Sequence, residues 1–278
     1  MNEECGLIEW VPHVVVLRGI LNKSYLSRNI QPWNANLKKT FDSIRSDPAK
    51  TGERFEKEVQ AGFPPVFHEW FLDTFPEPSA WLRARLAYSR TAAVMSMVGF
   101  VLGLGDRHCE NILLDGTTGD TVHVDFNCLF DRGRTFDVGE RVPFRLTANI
   151  VDGMGVTGVE GVFRQAAEIA LRILRDNKDS LFSVLETFLH DPLVEWEAKK
   201  QRRTGHDSAE DGSAAVDREA RKNLEPIRNK LRGLQVTSDP ASVGTREVGV
   251  GEQVERLIRE ARSSKNLGSM YVGWCAWF

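Results

Sequence analysis

Cysteine is scarce in this 278-residue chain: Cys5, Cys109, Cys128 and Cys275 are scattered, and no two form a C-x-x-C pair. That spacing argues against a disulfide framework or a zinc ribbon and leads to the expectation of a reducing compartment. Positive charge is not in excess either. The net charge is −3, so global charge makes no case for nucleic-acid binding. No leader is recognisable in MNEECGL, which has neither a basic start nor an apolar run. Long hydrophobic runs are also lacking. The most apolar window, Ala92–Leu104, is shorter than the roughly 20 residues a membrane span needs and reads as a buried core helix. No internal repeat is found. What remains is ordinary for a globular protein, with 41% apolar residues and a length that suits one large or two medium domains.

Turn residues divide the chain. LIEWV and PHVVVL read as a strand end followed by a connection into a helix over Val15–Leu21. Asn34–Gln60 has helical spacing with a break at Asp47-Pro48, and Gly62-Phe63-Pro64-Pro65 is a stop. Phe67–Phe75 predicts a short helix ended by Pro76 and Pro78, with Ser79 as the expected N-cap of a long helix over Trp81–Leu102. Ile112–Asp115 and Thr121–Val124 are expected to be hairpin strands joined by Gly116–Asp120. Three- and four-residue spacing predicts scaffold helices over Phe163–Arg175 and Leu181–His190, and one more over Leu224–Leu234. Lys199–Lys222 has almost no large apolar residues and reads as a disordered insert. Its KKQRR start is a solvated charge run, with a nuclear address as the alternative. Gly251–Phe278 is expected to be a separate compact unit, in which Val254, Leu257, Ile258 and Ala261 share one helical stripe. The ending CAWF fits a prenylation template only loosely, so an aromatic plug packed on the preceding part is the expected role.

The chemistry is concentrated in GDRHCENILLDGTTGDTVHVDF, residues 105–126. A hairpin brings the start of its first strand beside the end of its second, about 4.8 Å away. Asn111 and Asp125 therefore approach each other at one end. A carboxylate and an amide oxygen suit a hard cation such as magnesium, which completes its shell with water and phosphate. Asp106 stands five residues before Asn111, the interval of a protein-kinase catalytic loop, and Asp125-Phe126 corresponds to the metal-binding Asp-Phe-Gly. The order Asp106-Arg107-His108 inverts the His-Arg-Asp of ordinary protein kinases. Asp and Asn around a turn can instead make only local backbone bonds, but D-R-H-x-x-N, a hairpin and then D-F is a demanding combination. Cys109 is expected to be a packing residue, since a nearby positive charge alone does not make a reactive thiol, and His123 is expected to be packed or hydrogen-bonded, since metal ligation needs more partners than His123 and Cys128.

GLGDRHCEN followed by HVDFN resembles the phosphatidylinositol 3-kinase-related protein kinases. LIEWV, FHEWF, VDFNCLF, VPFRLT and FLHDPLVEW are similar to the ATR-type DNA-damage checkpoint branch of that family, and the tail from about Gly249 to Phe278 resembles a FATC segment. The resemblance implies an α+β, mainly α fold: a PI3K/PI4K-type kinase C-lobe with a small catalytic β-hairpin and a C-terminal FATC helical unit, without its N-lobe. It implies that residues 1–11 are the end of the N-lobe and the hinge, and that 12–196 are the C-lobe. Within the C-lobe, 104–111 would be the catalytic loop and 125–147 the activation segment. Residues 197–245 would be an insert with a regulatory helix, and 246–278 the FATC domain. Asp106 would orient or deprotonate a Ser/Thr hydroxyl, and His108 would sit by the transferred phosphate. Asn111 and Asp125 would hold Mg2+, or Mn2+. Glu9, Trp10 and Val11 would form the hinge around adenine, with Leu113 and Val124 as its floor. Asn127 stands where Gly follows Asp-Phe in the common motif, as this subgroup permits.

The implied function is a serine/threonine protein kinase of the DNA-damage and replication checkpoint, transferring the ATP γ-phosphate to protein Ser/Thr before Gln. Its implied setting is the nucleus. A regulatory subunit recruiting it to single-stranded DNA is implied, and a homodimer of the full-length protein is allowed; no direct nucleic-acid or membrane site is evident. The expected segment 127–145 has four Arg but also Asp131, Asp137 and Glu140, which gives little attraction for a polyanionic lipid. A phosphoinositide kinase and a non-catalytic interaction fragment are the alternatives. With the hinge at 9–11 there is no room upstream for a phosphate-covering loop or a strand Lys. The expectation is therefore a piece of a far longer protein, or a truncated gene product, with negligible activity alone.

Overall fold

The computed structural model describes residues 7–189, 222–234 and 246–278. Most of the expected insert and the FLHDPLVEW motif from His190 onward lie outside the described residues.

The helices are cut where caps and turn residues dictate. Strand β1 (Val14–Val16) leads directly into α1 (Leu17–Ser27). α2 (Ala35–Arg45) starts at Asn34, whose Oδ1 accepts the N–H groups of Asn36 and Leu37, donors that a first turn otherwise leaves without partners. Asp47-Pro48 separates α2 from α3 (Thr51–Glu58), and α4 (Phe67–Thr74) ends before Pro76. α5 (Pro78–Leu102) is a 25-residue helix.

Two local expectations are corrected. The helix expected from Val15 begins only at Leu17, because the β-branched run Val14–Val16 pairs with a later strand. The cap of α5 is Glu77, not Ser79. The Glu77 carboxylate accepts the Ala80 N–H at 2.8 Å and the Ser79 hydroxyl at 2.6 Å, while Pro78 occupies the first turn, where an N–H is dispensable.

β1, β2 (Ile112–Asp115) and β3 (Thr121–His123) form one antiparallel sheet in that order. Val14, Val15 and Val16 face Asp115, Leu114 and Leu113; Ile112, Leu113 and Leu114 face His123, Val122 and Thr121. Asp115 ties the hairpin turn by accepting the N–H groups of Thr117 and Thr118.

The remaining α-helices among the described residues are α6 (Ala148–Gly153), α7 (Val162–Asp176), α8 (Lys178–Leu189), α9 over 222–232, α10 (Val250–Arg262) and α11 (Ser264–Gly268). α7 lies along α5 and buries Phe163, Ala167, Ala170 and Leu171, one face at helical spacing. α10 buries the expected stripe of Val254, Leu257, Ile258 and Ala261.

The C-terminal segment is not a separate unit, contrary to expectation. α10 packs on α7 and α11 on α3, and the Trp277 and Phe278 rings stack among Tyr25, Phe41 and Phe63. A segment this short cannot bury enough apolar surface by itself. Its aromatic end instead completes a hydrophobic core shared with α1, α2 and α3, as a plug.

Candidate active site

Gly103 makes the exit from α5 possible. It closes the helix with φ +64°, and an added Cβ would lie 2.3 Å from the Asp131 backbone nitrogen, so only glycine meets both demands. The chain then runs beside residues 128–131. Phe130 and Asp131 donate their N–H groups to Leu102 and Gly103, and Gly105 donates to Cys128 at 2.7 Å.

Asp106 and Asp125 both adopt left-handed backbone conformations, with φ +58° and +59°. For a non-glycine residue such strain costs on the order of 1 kcal/mol or more and persists only where neighbours enforce it. At Asp106 the N–H donates to Glu140 Oε1 at 2.9 Å, and the carbonyl accepts from Asn111 Nδ2 at 2.9 Å. At Asp125 the enforcer is Arg107, which is buried. Its guanidinium donates to the carbonyls of Gly105 (2.9 Å), Val124 (2.6 Å) and Asp125. Burial pulls the Arg107 pKa below its ordinary value, against the opposing pull of Asp106, Asp125 and Glu140.

The Val124 N–H donates to the Asn111 carbonyl at 3.1 Å, so Asp125 immediately follows the residue paired with Asn111. The Asn111 amide nitrogen is engaged by Asp106, which leaves its Oδ1 as the free polar atom. Asp125 is exposed, and its Oδ1 accepts the Asn127 N–H at 3.1 Å. His108 Nδ1 accepts the Glu110 N–H at 3.2 Å. The neutral ring therefore carries its proton on Nε2, which lies 4.0 Å from Asp106 Oδ1.

Asp106, His108, Asn111 and Asp125 are thus gathered at the open end of the hairpin. Leu113 is buried on β2, and Val124 is half-buried just beyond β3. Glu9, Trp10 and Val11 lie on the surface before β1, with Trp10 83% exposed. β1 enters the sheet beside Asp115, at the turn end of the hairpin. Among the described residues no three His, Cys, Asp or Glu side chains converge as a metal cage. The donor set at the open end is one carboxylate and one amide oxygen. Those hard ligands fit a magnesium ion that draws its other oxygens from phosphate and water.

Three further residues escaped the sequence reading: Arg107, Glu140 and Arg145. Arg145 is buried and donates to Arg107 O (3.3 Å), Trp274 O (2.8 Å), Cys275 O (2.7 Å) and Phe278 O (3.4 Å), with its guanidinium 4.2 Å from the Trp274 ring centroid. Thr147 donates to Phe278 O, and Asn149 donates to Trp277 O and to the Tyr25 hydroxyl. A signal for this set exists in FRLTAN, where polar residues alternate with buried Phe144 and Leu146.

Comparison with known proteins decides the family. The profile described as phosphatidylinositol 3- and 4-kinase matches residues 1–198. The chain belongs to the phosphatidylinositol 3- and 4-kinase family. A second profile, the FATC domain, matches residues 247–278. Among the relatives of this phosphatidylinositol 3- and 4-kinase family chain is protein kinase rad3 of Schizosaccharomyces pombe, 50% identical over all of this chain and 11% of the relative. Serine/threonine-protein kinase ATR of Arabidopsis thaliana is 46% identical over 100% of this chain and 10% of its own length. Serine/threonine-protein kinase MEC1 of Kluyveromyces lactis is 40% identical over 99% and 11%. The chain therefore spans about a tenth of the length of these relatives. The solved structure of the FAT and kinase domain of CtTel1 superposes with a TM-score of 0.78 at 33% identity, covering 97% of this chain and 18% of that one. The mainly helical fold is that of a kinase C-lobe with its FATC segment. A kinase family of this kind implies ATP and a divalent metal.

Proposed function

We propose that this chain is the catalytic lobe of a serine/threonine protein kinase of the DNA-damage and replication checkpoint, acting on Ser/Thr before Gln. The observation that carries the reading is the gathering of Asp106, Asn111 and Asp125 at the open end of β2–β3, in a chain whose relatives include ones named serine/threonine-protein kinases. In this reading 9–11 are the hinge, 12–196 the C-lobe, 104–111 the catalytic loop, 125–147 the activation segment, 197–245 an insert with a regulatory helix, and 246–278 the FATC domain.

Asp106 accepts the proton of the substrate hydroxyl and aims its oxygen. His108 donates its Nε2 proton toward the phosphoryl oxygens, and its Nδ1 contact with Glu110 keeps that proton outward. Asn111 Oδ1 and the Asp125 carboxylate would hold Mg2+, or Mn2+ in its place. The ion when bound neutralises charge on the ATP phosphates. Arg107 keeps Asp125 at the open end by gripping its carbonyl. Trp10 covers adenine, the Val11 backbone hydrogen-bonds to it, and Leu113 and Val124 form its floor.

Charge favours a protein acceptor over a phosphoinositide. Of the four Arg in 127–145, Arg145 is buried and Arg134 pairs with Asp131 at 3.5 Å, and the exposed Arg132 and Arg141 are offset by Asp137 and Glu140, so little net positive charge is left for a phosphorylated headgroup. A nuclear setting and a regulatory subunit that recruits the kinase to single-stranded DNA follow from the checkpoint reading. The solved Tel1 kinase butterfly symmetric dimer, which matches this chain with a TM-score of 0.76 at 31% identity, supports a homodimer of the longer protein.

The test uses a kinase that carries this chain behind a phosphate-binding lobe. Asp125→Ala should abolish turnover on a Ser-Gln peptide while the thermal midpoint stays near that of the parent. Retained peptide turnover would remove Asp125 from metal binding, and transfer to phosphoinositide vesicles in preference to peptide would favour the lipid reading.

A further inference from the structure

We infer that Glu140 is a positioning residue for Asp106: its carboxylate receives the Asp106 N–H and holds the loop in the conformation that presents the Asp106 side chain. The inference deepens the protein-kinase reading above and rests on it.

Glu140 comes from the far end of segment 125–147, yet its Oε1 lies 2.9 Å from the Asp106 nitrogen. Asn111 Nδ2 holds the other side of the same residue, at the Asp106 carbonyl. The left-handed backbone of Asp106 is therefore pinned at both flanking peptide groups, once from the loop itself and once from Glu140. Without the second pin the strained backbone has a route to relax, and the carboxylate that must face the substrate would turn with it.

The second carboxylate oxygen explains two glycines. A Cβ added to Gly105 would sit 2.4 Å from Glu140 Oε2, and one added to Gly133 would sit 2.1 Å from it. Neither glycine has a left-handed backbone. Smallness at Gly133 is thus demanded by the approach of the Glu140 side chain, and at Gly105 by that side chain together with Cys128 Sγ. Glu140 is itself fixed, its N–H donating to Gly133 O at 2.9 Å. An oxygen acceptor is what the geometry requires at this half-buried place. Burial pushes the Glu140 carboxyl above its ordinary pKa; the hydrogen bond from the Asp106 N–H opposes that shift, the Asp106 charge adds to it, and Arg107 and Arg134 oppose it. An amide that keeps the oxygen and loses the charge should serve.

The experiment compares Glu140→Ala, Glu140→Gln, Gly133→Ala and the double Gly133→Ala/Glu140→Ala in a kinase that carries this chain behind a phosphate-binding lobe, with Asp106→Asn as control. Glu140→Ala should lower kcat by about 10- to 100-fold with KM for ATP held within about two-fold, the pattern of a misplaced group rather than lost binding. Glu140→Gln should stay within about three-fold of the parent, because the acceptor survives. Gly133→Ala should lower kcat in the parent and add little in the Glu140→Ala background, where its clash partner is gone. The positioning role is overturned by a normal kcat in Glu140→Ala, by Glu140→Gln as slow as Glu140→Ala, or by a loss that appears only in KM for ATP. If Glu140→Ala lowers the thermal midpoint too far to assay, Glu140→Gln and Gly133→Ala decide: a slow Glu140→Gln or a normal Gly133→Ala overturns it. Full turnover by Asp106→Asn would sink the kinase role of Asp106 and this inference with it, whereas an inactive Asp106→Asn beside a normal Glu140→Ala sinks the inference alone.

Discussion

The polar loop at Asp106–Asn111 and the aromatic tail at Trp274–Phe278 meet at Arg145 and are held in opposite ways. The loop leaves the Asp106 carboxylate partly exposed and is held through backbone groups: Glu140 takes the Asp106 N–H, Asn111 the Asp106 carbonyl, and Arg107 of the loop reaches out to the carbonyls of Gly105, Val124 and Asp125. The tail exposes almost nothing, with Trp277 0% and Trp274 5% accessible. It is held by ring packing and by backbone carbonyls that accept from Arg145, Thr147 and Asn149. A site for chemistry must leave its reactive groups free, which means strained backbone enforced from outside. The tail has a left-handed residue of its own, Cys275 at φ +55°, and buries the Trp274 and Trp277 indole N–H groups without a partner, but it holds its side chains inside the core instead of presenting them. The loop is thus expected to govern turnover and the tail to govern stability, with Arg145 serving both.

That division can be broken most forcefully at Arg145. Arg145→Ala leaves several buried carbonyl oxygens without a donor and should destabilise the protein by about 3–5 kcal/mol, while turnover also falls because Arg107 O loses its donor. Denaturant midpoints and turnover per folded molecule separate the two effects; a loss in only one would confine Arg145 to one region. Trp277→Ala should cost a similar or slightly smaller amount, about 3–5 kcal/mol, with turnover per folded molecule unchanged. An unchanged midpoint would refute the plug.

Acid is the next lever. His123 sits beside Ile112 in the sheet with Nδ1 buried and unpartnered, and burial, aided by Arg107, pushes its pKa down from 6.5 to about 4. The unfolded chain therefore binds the proton first. The stability held by neutral His123 is present above about pH 6.5 and is lost progressively toward pH 4, by on the order of 3 kcal/mol at most. Denaturant midpoints at pH 7 and 4.5 should show that loss in the parent and a smaller one in His123→Gln; equal slopes would count against it. The smallest effect belongs to Arg18, which pairs with Glu110 of the loop at 3.1 Å and donates to Gly273 O of the tail at 3.3 Å. Both partners of the ion pair are partly exposed, so Arg18→Ala should cost under about 1 kcal/mol and lose its effect at high salt. A larger, salt-insensitive cost would mean that the two regions are coupled more tightly than their packing implies.

Residues whose partners are near in sequence were legible in advance. The interval from Asp106 to Asn111, the turn Gly116–Asp120 and the stripe Val254–Ala261 each follow from spacing within one element. Val14–Val16 was harder, since its strand partners stand about a hundred residues away, and a short apolar run before a helix can be read either way. Ser79 looked like a cap because hydroxyls favour that place, but Glu77 could reach the same donor and Pro78 shifted the helix start.

The sequence alone determined on which local elements Asp106, Asn111 and Asp125 ride, because periodicity, turn residues and the spacing of Asp and Asn act over a few residues. Only the tertiary structure decided that Glu140 holds Asp106, that Arg107 holds Asp125, and that the C-terminal aromatic residues complete the core beneath the loop instead of standing apart. Those contacts join residues from about 18 to more than 120 positions apart, where burial and hydrogen-bond satisfaction of the whole chain choose the partner and no local pattern carries the information.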